Sequence, residues 1–243
     1  MHEELKSQWD QLAERWITET AAGKNTHRVG LLDPWMLEAA GDVRGKDVID
    51  LGCGEGRFCR MLAERGARVL GVDLCERFIQ HARAHRVRDE RYQASDVQKR
   101  IDGIADNTFD LAVSYVSLVD LPHPELAVRE AHRILKPGGR LVICNLAPMV
   151  TAGNSWVKTA DKKLCFYLDN YFDETSRGMP MWGVTVTGFH RTLSNTINSF
   201  IQSGFVLEGL KEPMPSAQQV QEYPDVADNL RVPLFVIYLL RKA

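Results

Sequence analysis

The chain has 243 residues, of which 44% are hydrophobic and 26% charged, with a formal net charge of −2 at pH 7. That is room for one large α/β domain with a cap. The balanced charge leaves no basic footprint for nucleic acid, no apolar run reaches the roughly 18–20 residues that span a bilayer, and the N-terminus lacks a secretory pattern.

The five cysteines, Cys53, Cys59, Cys75, Cys144 and Cys165, are odd in number, scattered, and free of C-x-x-C spacing. Neither a disulfide frame nor a zinc site is expected, and no metal. The cytoplasm is the expected compartment.

Residues 1–45 read as a helical lead-in. Leu5, Trp9, Leu12 and Trp16 form one apolar stripe of an amphipathic helix. A loop from Ala21 to Gly30 follows. Asp33-Pro34 then reads as an N-cap with proline at the first helical position, and Gly41 as the stop.

The next hundred residues alternate. Strand Asp47–Leu51 leads to a helix, Arg57–Arg65, with Phe58, Met61 and Leu62 inward and Gly66 as its stop. Strand Arg68–Asp73, helix Glu76–His85, and strands Arg91–Ala94 and Asp110–Tyr115 come next. Helix Pro124–Lys136 turns through Pro137-Gly138-Gly139 into strand Arg140–Asn145. Such alternation predicts a doubly wound α/β fold, a parallel sheet with helices on both faces. Ligands of these sheets lie beyond the carboxyl ends of the strands, where Asp50, Asp73, Asp96 and Ser114 all fall.

Residues 146–191 break the rhythm and are rich in aromatics and methionine. A connection this long reads as a lid or substrate-binding insertion, or as a hairpin packed on the sheet edge. Helix Leu193–Ser203, strand Phe205–Leu210 and the apolar strand Pro233–Leu240 complete the chain. The expected organisation is one domain over 1–243: lead-in 1–45, cofactor-binding core 46–145, cap 146–191, C-terminal helix and strands 192–243.

The glycine-rich stretch Asp50-Leu51-Gly52-Cys53-Gly54-Glu55-Gly56 lies between the first strand and its helix, with Asp73 about 20 residues on. Glycines for close backbone approach and an acid for ribose hydroxyls describe an adenosine-cofactor site. In G-x-G-x-x-G dinucleotide folds the third glycine stands where this chain has Arg57. Glu55 would also compete with a pyrophosphate for the helix N-terminus. A phosphate-free cofactor carrying an amino acid fits better, with Asp50 or Glu55 ordering its ammonium or the loop around it.

On these residues the chain resembles the class I S-adenosylmethionine-dependent methyltransferases, of the bacterial small-molecule type. The likeness rests on Asp50–Gly56, Asp73, Asp96 in Gln93–Val97, Phe109–Tyr115, and the Leu135–Gly139 turn. It implies a Rossmann-like, mostly parallel seven-stranded sheet whose last strand is antiparallel. The implied cofactor is S-adenosylmethionine, leaving as S-adenosylhomocysteine. Gly52, Cys53, Gly54 and Gly56 would face it, Asp73 would accept both ribose hydroxyls, and Asp96 the adenine amino group. Leu74 and Val97 would flank the adenine, Ser114 would close the fourth strand, and Arg28 would reach the methionine carboxylate.

Methyl transfer from a sulfonium is an in-line displacement in which the protein mainly aligns the reactants and excludes water. A base serves only where the acceptor must lose a proton. His190 and, less directly, His123 are the candidate bases; Arg191 would meet an anionic acceptor, and Tyr115, Trp182 and Tyr171 would line its pocket. The expected activity is O- or N-methylation of a small organic acceptor by a monomer or homodimer, without membrane or nucleic acid. The alternatives are a non-catalytic S-adenosylmethionine-binding protein, an RNA methyltransferase, and a nicotinamide-dependent oxidoreductase.

Overall fold

In strand β1 (Asp47–Leu51) every residue after Asp47 is buried, and its side chains alternate between two cores. Val48 joins Met36, Phe58 and Leu62 on one face; Ile49 and Leu51 join Val128, Ile134 and Phe200 on the other. A strand covered on both faces reads as a nearly continuous apolar run, which accounts for V-I-D-L. The computed structural model describes residues 2–153 and 155–243 and sets β1 inside a seven-stranded sheet.

The parallel strands beside it are β2 (Arg68–Asp73), β3 (Arg91–Ala94), β4 (Phe109–Tyr115) and β5 (Leu135–Leu146). Two separate hairpins follow: β6 (Trp156–Lys158) with β7 (Lys163–Phe166), and β8 (Ser176–Met181) with β9 (Val184–Phe189). The sheet is completed by β10 (Phe205–Lys211) and β11 (Phe235–Lys242), and its order is β3-β2-β1-β4-β5-β11-β10. Only β11 runs against its neighbours. Because β2 and β4 flank β1 on opposite sides, a crevice opens at their carboxyl ends.

One face carries α2 (Asp33–Ala40), α3 (Arg57–Glu64) and α4 (Glu76–Ala84); the other carries α5 (Pro124–Ile134) and α7 (Leu193–Gln202). The lead-in helix α1 (His2–Ala21) lies across α4, where Trp9, Trp16 and Ile17 pack on Cys75 and Phe78. Its Gln8 also bonds Thr187 of β9 through both backbone and side chain.

Several local expectations change. Asp33 is not an N-cap: a π-helical turn, Arg28–Leu32, runs directly into α2, so the chain is already helical there. Its carboxylate bonds Arg57 and Tyr115 instead. Helix α5 ends at Ile134 because Lys136 turns away to Asp110 and Asp47. β5 starts early, at Leu135, and Lys136–Gly139 bulges out, since the pairing with β4 skips from Leu135 to Arg140. Short helix α8 (Ala217–Glu222), after the four-residue α6 (Pro148–Thr151), was unexpected, although its Ser216/Gln219 capping box is legible as S-x-x-Q.

Candidate functional site

Beyond β1 the chain makes the turn for which its glycines are needed. Gly52 has φ +80° and a Cβ there would sit 2.5 Å from the Ser117 hydroxyl. Gly54, at φ +54°, faces open space, and its N–H donates to Asp73 Oδ2 at 2.8 Å. Gly56 does something else. It does not line the crevice, and a Cβ there would press on Tyr92 at 2.8 Å and Ala82 at 2.9 Å. It is a packing glycine that seats α3, not a ligand-facing one.

The crevice is walled by this loop, by Asp73 and Leu74 after β2, by Ser95–Gln98 after β3, and by Tyr115–Ser117 with Asp120 and Leu121 after β4. Trp9, Trp16, Thr20, Asn25 and Arg28 of the lead-in close it. Asp50, Cys53, Asp96 and Val97 therefore meet Gly52, Gly54, Asp73 and Leu74 in one cleft.

Asp73 accepts from the N–H groups of Gly54 and Cys75, one on each carboxylate oxygen, which leaves outward lone pairs on both. Burial raises its pKa, against the pull of those N–H donors. Asp96 accepts from the Gln98 N–H at 2.9 Å, which aims the carboxylate. Asp50 is 1% exposed; Oδ2 accepts from the Cys59 thiol, and Oδ1 has no partner among the described residues. Burial pushes its pKa up to about 7, with Asp73 adding and Cys59 and Arg28 opposing. A buried carboxylate oxygen without a partner is costly, and this one belongs to a residue of the cleft lining.

Arg28 spans the cleft floor. Its guanidinium lies 4.4 Å above the Tyr115 ring and donates to the Tyr115 carbonyl at 3.0 Å. The Tyr115 hydroxyl donates to Asp33. Among the groups that line the cleft, Glu55 is bound by Arg60 and Arg57 by Asp33, which leaves Arg28 as the lining cation that acts on Asp50 and Asp120. The cleft is acidic, which suits a cationic ligand.

Other sequence candidates lie elsewhere. Ser114 is fully buried and reaches the cleft only through Ser117: the two hydroxyls are 2.7 Å apart, and Ser117 donates on to the Leu51 carbonyl. His190 is 2% exposed and outside the cleft. Its Nε2 donates to the Tyr171 carbonyl and its Nδ1 pairs with Thr151, so neither nitrogen is available as a base. His123 is exposed beside Glu125, away from the cleft. Arg191 donates to the carbonyls of Leu121 and Pro122 rather than facing an acceptor. The Tyr171 hydroxyl accepts from the Leu193 N–H, and Trp182 stands behind Trp16, edge to face at 5.4 Å. Sequence reading missed Trp9, Trp16 and Ser117 as cleft residues. The two tryptophans read as ordinary helix-stripe residues, and no local pattern marks a turn that becomes a wall only when the sheet forms.

Residues 49–143 match the methyltransferase domain family. An S-adenosylmethionine-dependent methyltransferase of solved structure, from Mesorhizobium loti, is 32% identical and superposes with a TM-score of 0.77 over 86% of this chain and 96% of that one. The chain belongs to the S-adenosylmethionine-dependent methyltransferases. A methyltransferase structure from Listeria monocytogenes is 26% identical, with a TM-score of 0.75 over 85% of this chain and 94% of that one. The ubiquinone biosynthesis O-methyltransferase of Pseudomonas aeruginosa is 30% identical over 152 residues, 60% of this chain and 63% of that enzyme. The chain thus spans about three fifths of that relative's length.

S-adenosylmethionine is the cofactor of this methyltransferase. The residues present fit it: an acidic cleft for a sulfonium and an ammonium, a partnerless buried oxygen on Asp50, and a glycine turn open at Gly54. Among the described residues, no His, Cys, Asp and Glu side chains gather as a metal site, and no helix is long and apolar enough to cross a membrane.

Proposed function

We propose that this methyltransferase methylates a hydroxyl group of a small organic molecule. The cofactor, when bound, supplies a methyl group already activated on a positive sulfur. The chain's own residues hold, orient and keep dry. Asp73 takes the ribose hydroxyls on its outward lone pairs, Asp96 the adenine amino group, and Leu74 and Val97 the two faces of the ring. Asp50 and Arg28 take the amino-acid end, the first pairing with its ammonium and the second with its carboxylate.

The observation that carries the cofactor part of this reading is the buried Asp50 oxygen, partnerless among the described residues, on a residue of an acidic cleft, because the ammonium of an amino-acid cofactor can satisfy it. Arg57 supports the same choice: it occupies the position of the dinucleotide glycine and is bound to Asp33.

The acceptor would lie between the lead-in and the turn after β4, against Trp16, Tyr115, Ser117 and Leu121. This wall is largely aromatic and apolar, with Arg28 and Asp120 as its charged groups, and favours a planar, partly apolar compound. The relatives named as ubiquinone biosynthesis O-methyltransferases support a hydroxyl as the atom methylated. The 146–191 segment acts as a cap through Trp182, which backs Trp16. The enzyme works in the cytoplasm, where the buried thiols of Cys59, Cys75 and Cys144 stay reduced.

The test is to incubate the protein with S-adenosylmethionine and a panel of phenols, catechols, hydroxybenzoates and the matching amines. Production of S-adenosylhomocysteine with a methyl ether as co-product is the expected result. Methylation confined to the amines, or none at all, would overturn the reading.

A further inference from the structure

Asp120 is the one carboxylate lining the cleft for which no side-chain hydrogen bond exists among the described residues. Asp50 accepts from Cys59, Glu55 from Arg60, Asp73 from two N–H groups and Asp96 from Gln98. Asp120 is half-buried in the cleft wall, so with no protein partner its oxygens are open to a ligand.

The backbone that carries Asp120 is nevertheless fixed. It ends the 3-10 turn Leu118–Asp120, whose Leu118 and Val119 are buried. On one side Ser117 anchors the turn to the Leu51 carbonyl; on the other, Arg191 grips the carbonyls of Leu121 and Pro122. Val116 enters it at φ +54°, a left-handed conformation that a β-branched residue adopts only under constraint. The fold therefore fixes the backbone that presents a partnerless carboxylate at the cleft wall, at the end where the proposed acceptor lies.

We propose that Asp120 is the catalytic base that receives the proton of the acceptor hydroxyl. The inference rests on the hydroxyl-acceptor reading above. As the oxygen–methyl bond forms and the sulfur–methyl bond breaks, the sulfur keeps the bonding pair and becomes a neutral thioether. The O–H proton passes to the Asp120 carboxylate and leaves to solvent after product release. Burial, with Asp73 adding and Arg28 opposing, pushes the Asp120 pKa up to about 8, close to where a base works best at neutral pH. The charged and titratable groups sharing its cleft are Arg28 of the lead-in, Asp50, Cys53, Glu55 and Arg57 around the glycine turn, Asp73, Asp96 and Tyr115.

The test compares wild type, Asp120→Asn and Asp120→Glu. Calorimetric affinity for S-adenosylhomocysteine should stay within about threefold in all of them, which shows an intact cofactor half. With the probe 4-nitrocatechol added to the S-adenosylhomocysteine complex near neutral pH, the wild-type spectrum should shift toward the ionised phenol and the Asn variant should not. With a methylated catechol acceptor, kcat should fall about 100-fold in the Asn variant. The rise of rate with pH should vanish there, and the Glu variant should recover part of both. A wild-type-like shift and rate in Asp120→Asn would overturn the proposal and leave hydroxyl methylation standing. Tight S-adenosylhomocysteine binding with neither probe binding nor hydroxyl methylation by the wild type would overturn both.

Discussion

The Arg57 guanidinium meets the Asp33 carboxylate as a two-pronged pair, Nη1 to Oδ2 at 2.8 Å and Nη2 to Oδ1 at 2.7 Å. Arg57 is the first residue of the helix that the glycine turn feeds, and Asp33 the first residue of the lead-in's second helix. The same carboxylate accepts from the Tyr115 hydroxyl. One acid thus clamps the lead-in, the glycine turn and the end of β4 around the cleft.

Both members of this pair are largely buried, so removing one leaves the other charge without compensation. Arg57→Met should cost about 3 kcal/mol of stability, read from urea denaturation midpoints at constant m. Replacing both, Asp33→Leu with Arg57→Met, should recover much of that loss. An Arg57→Met midpoint indistinguishable from the parent's would show that the clamp contributes nothing.

Asp73 should dominate cofactor affinity. Asp73→Ala removes the acceptor for two ribose hydroxyls and frees the Gly54 and Cys75 N–H groups. A loss of about 2 kcal/mol, roughly thirtyfold in S-adenosylhomocysteine affinity, is expected by calorimetry. Asp73→Asn, which keeps one acceptor oxygen, should fall between. Unchanged affinity in the Ala variant would remove the ribose from this position.

Asp50 sets a pH dependence whose sign is the reverse of the usual carboxylate. Its folded pKa, about 7, lies above the unfolded value, so between the two the folded state binds the extra proton. Its contribution to stability is therefore present at low pH and is lost as pH rises through about 7. Asp50→Asn should be more stable than the parent at pH 8, by an amount on the order of 3 kcal/mol, and the gap should close toward pH 4. Cofactor binding runs the other way: the parent's affinity for S-adenosylhomocysteine should rise with pH through this window, as the carboxylate that meets the ammonium ionises. Calorimetry of Asp50→Asn across the same range should show no such rise.

His190 offers a contrast between a structural and a chemical role. Losing the imidazole leaves Thr151 and the Tyr171 carbonyl without their partner in a buried place. His190→Ala should lower stability by about 2 kcal/mol while kcat, measured well below the melting temperature, stays within a few-fold of the parent. A hundredfold loss of kcat in a folded variant would return His190 to the list of bases.

Much of the strand-end wall of the cleft was legible in the sequence because it is built from local geometry. A glycine turn must follow a buried strand, and acids at strand ends must share an edge once the strands are parallel; Asp50, Gly52, Gly54, Asp73 and Asp96 follow from these alone. Gly56 fits the same pattern, but its partners, Tyr92 and Ala82, come from later elements, so its packing role was not readable. The acceptor half failed for the same reason. His190 and Arg191 have the chemistry of a site, yet hairpin β8–β9 turns them toward Tyr171, Thr151, Leu121 and Pro122.

The sequence by itself determined the βαβ cofactor unit, the parallel sheet and the exclusion of a dinucleotide, since hydrophobic period and glycine spacing act within about 20 residues. Tertiary structure alone decided what Asp33, Arg57 and Asp120 do. Whether a charged side chain pairs or stands partnerless depends on which distant segment arrives beside it: Arg57 meets an acid 24 positions earlier in the chain, and Asp120 has no side-chain hydrogen bond among the described residues.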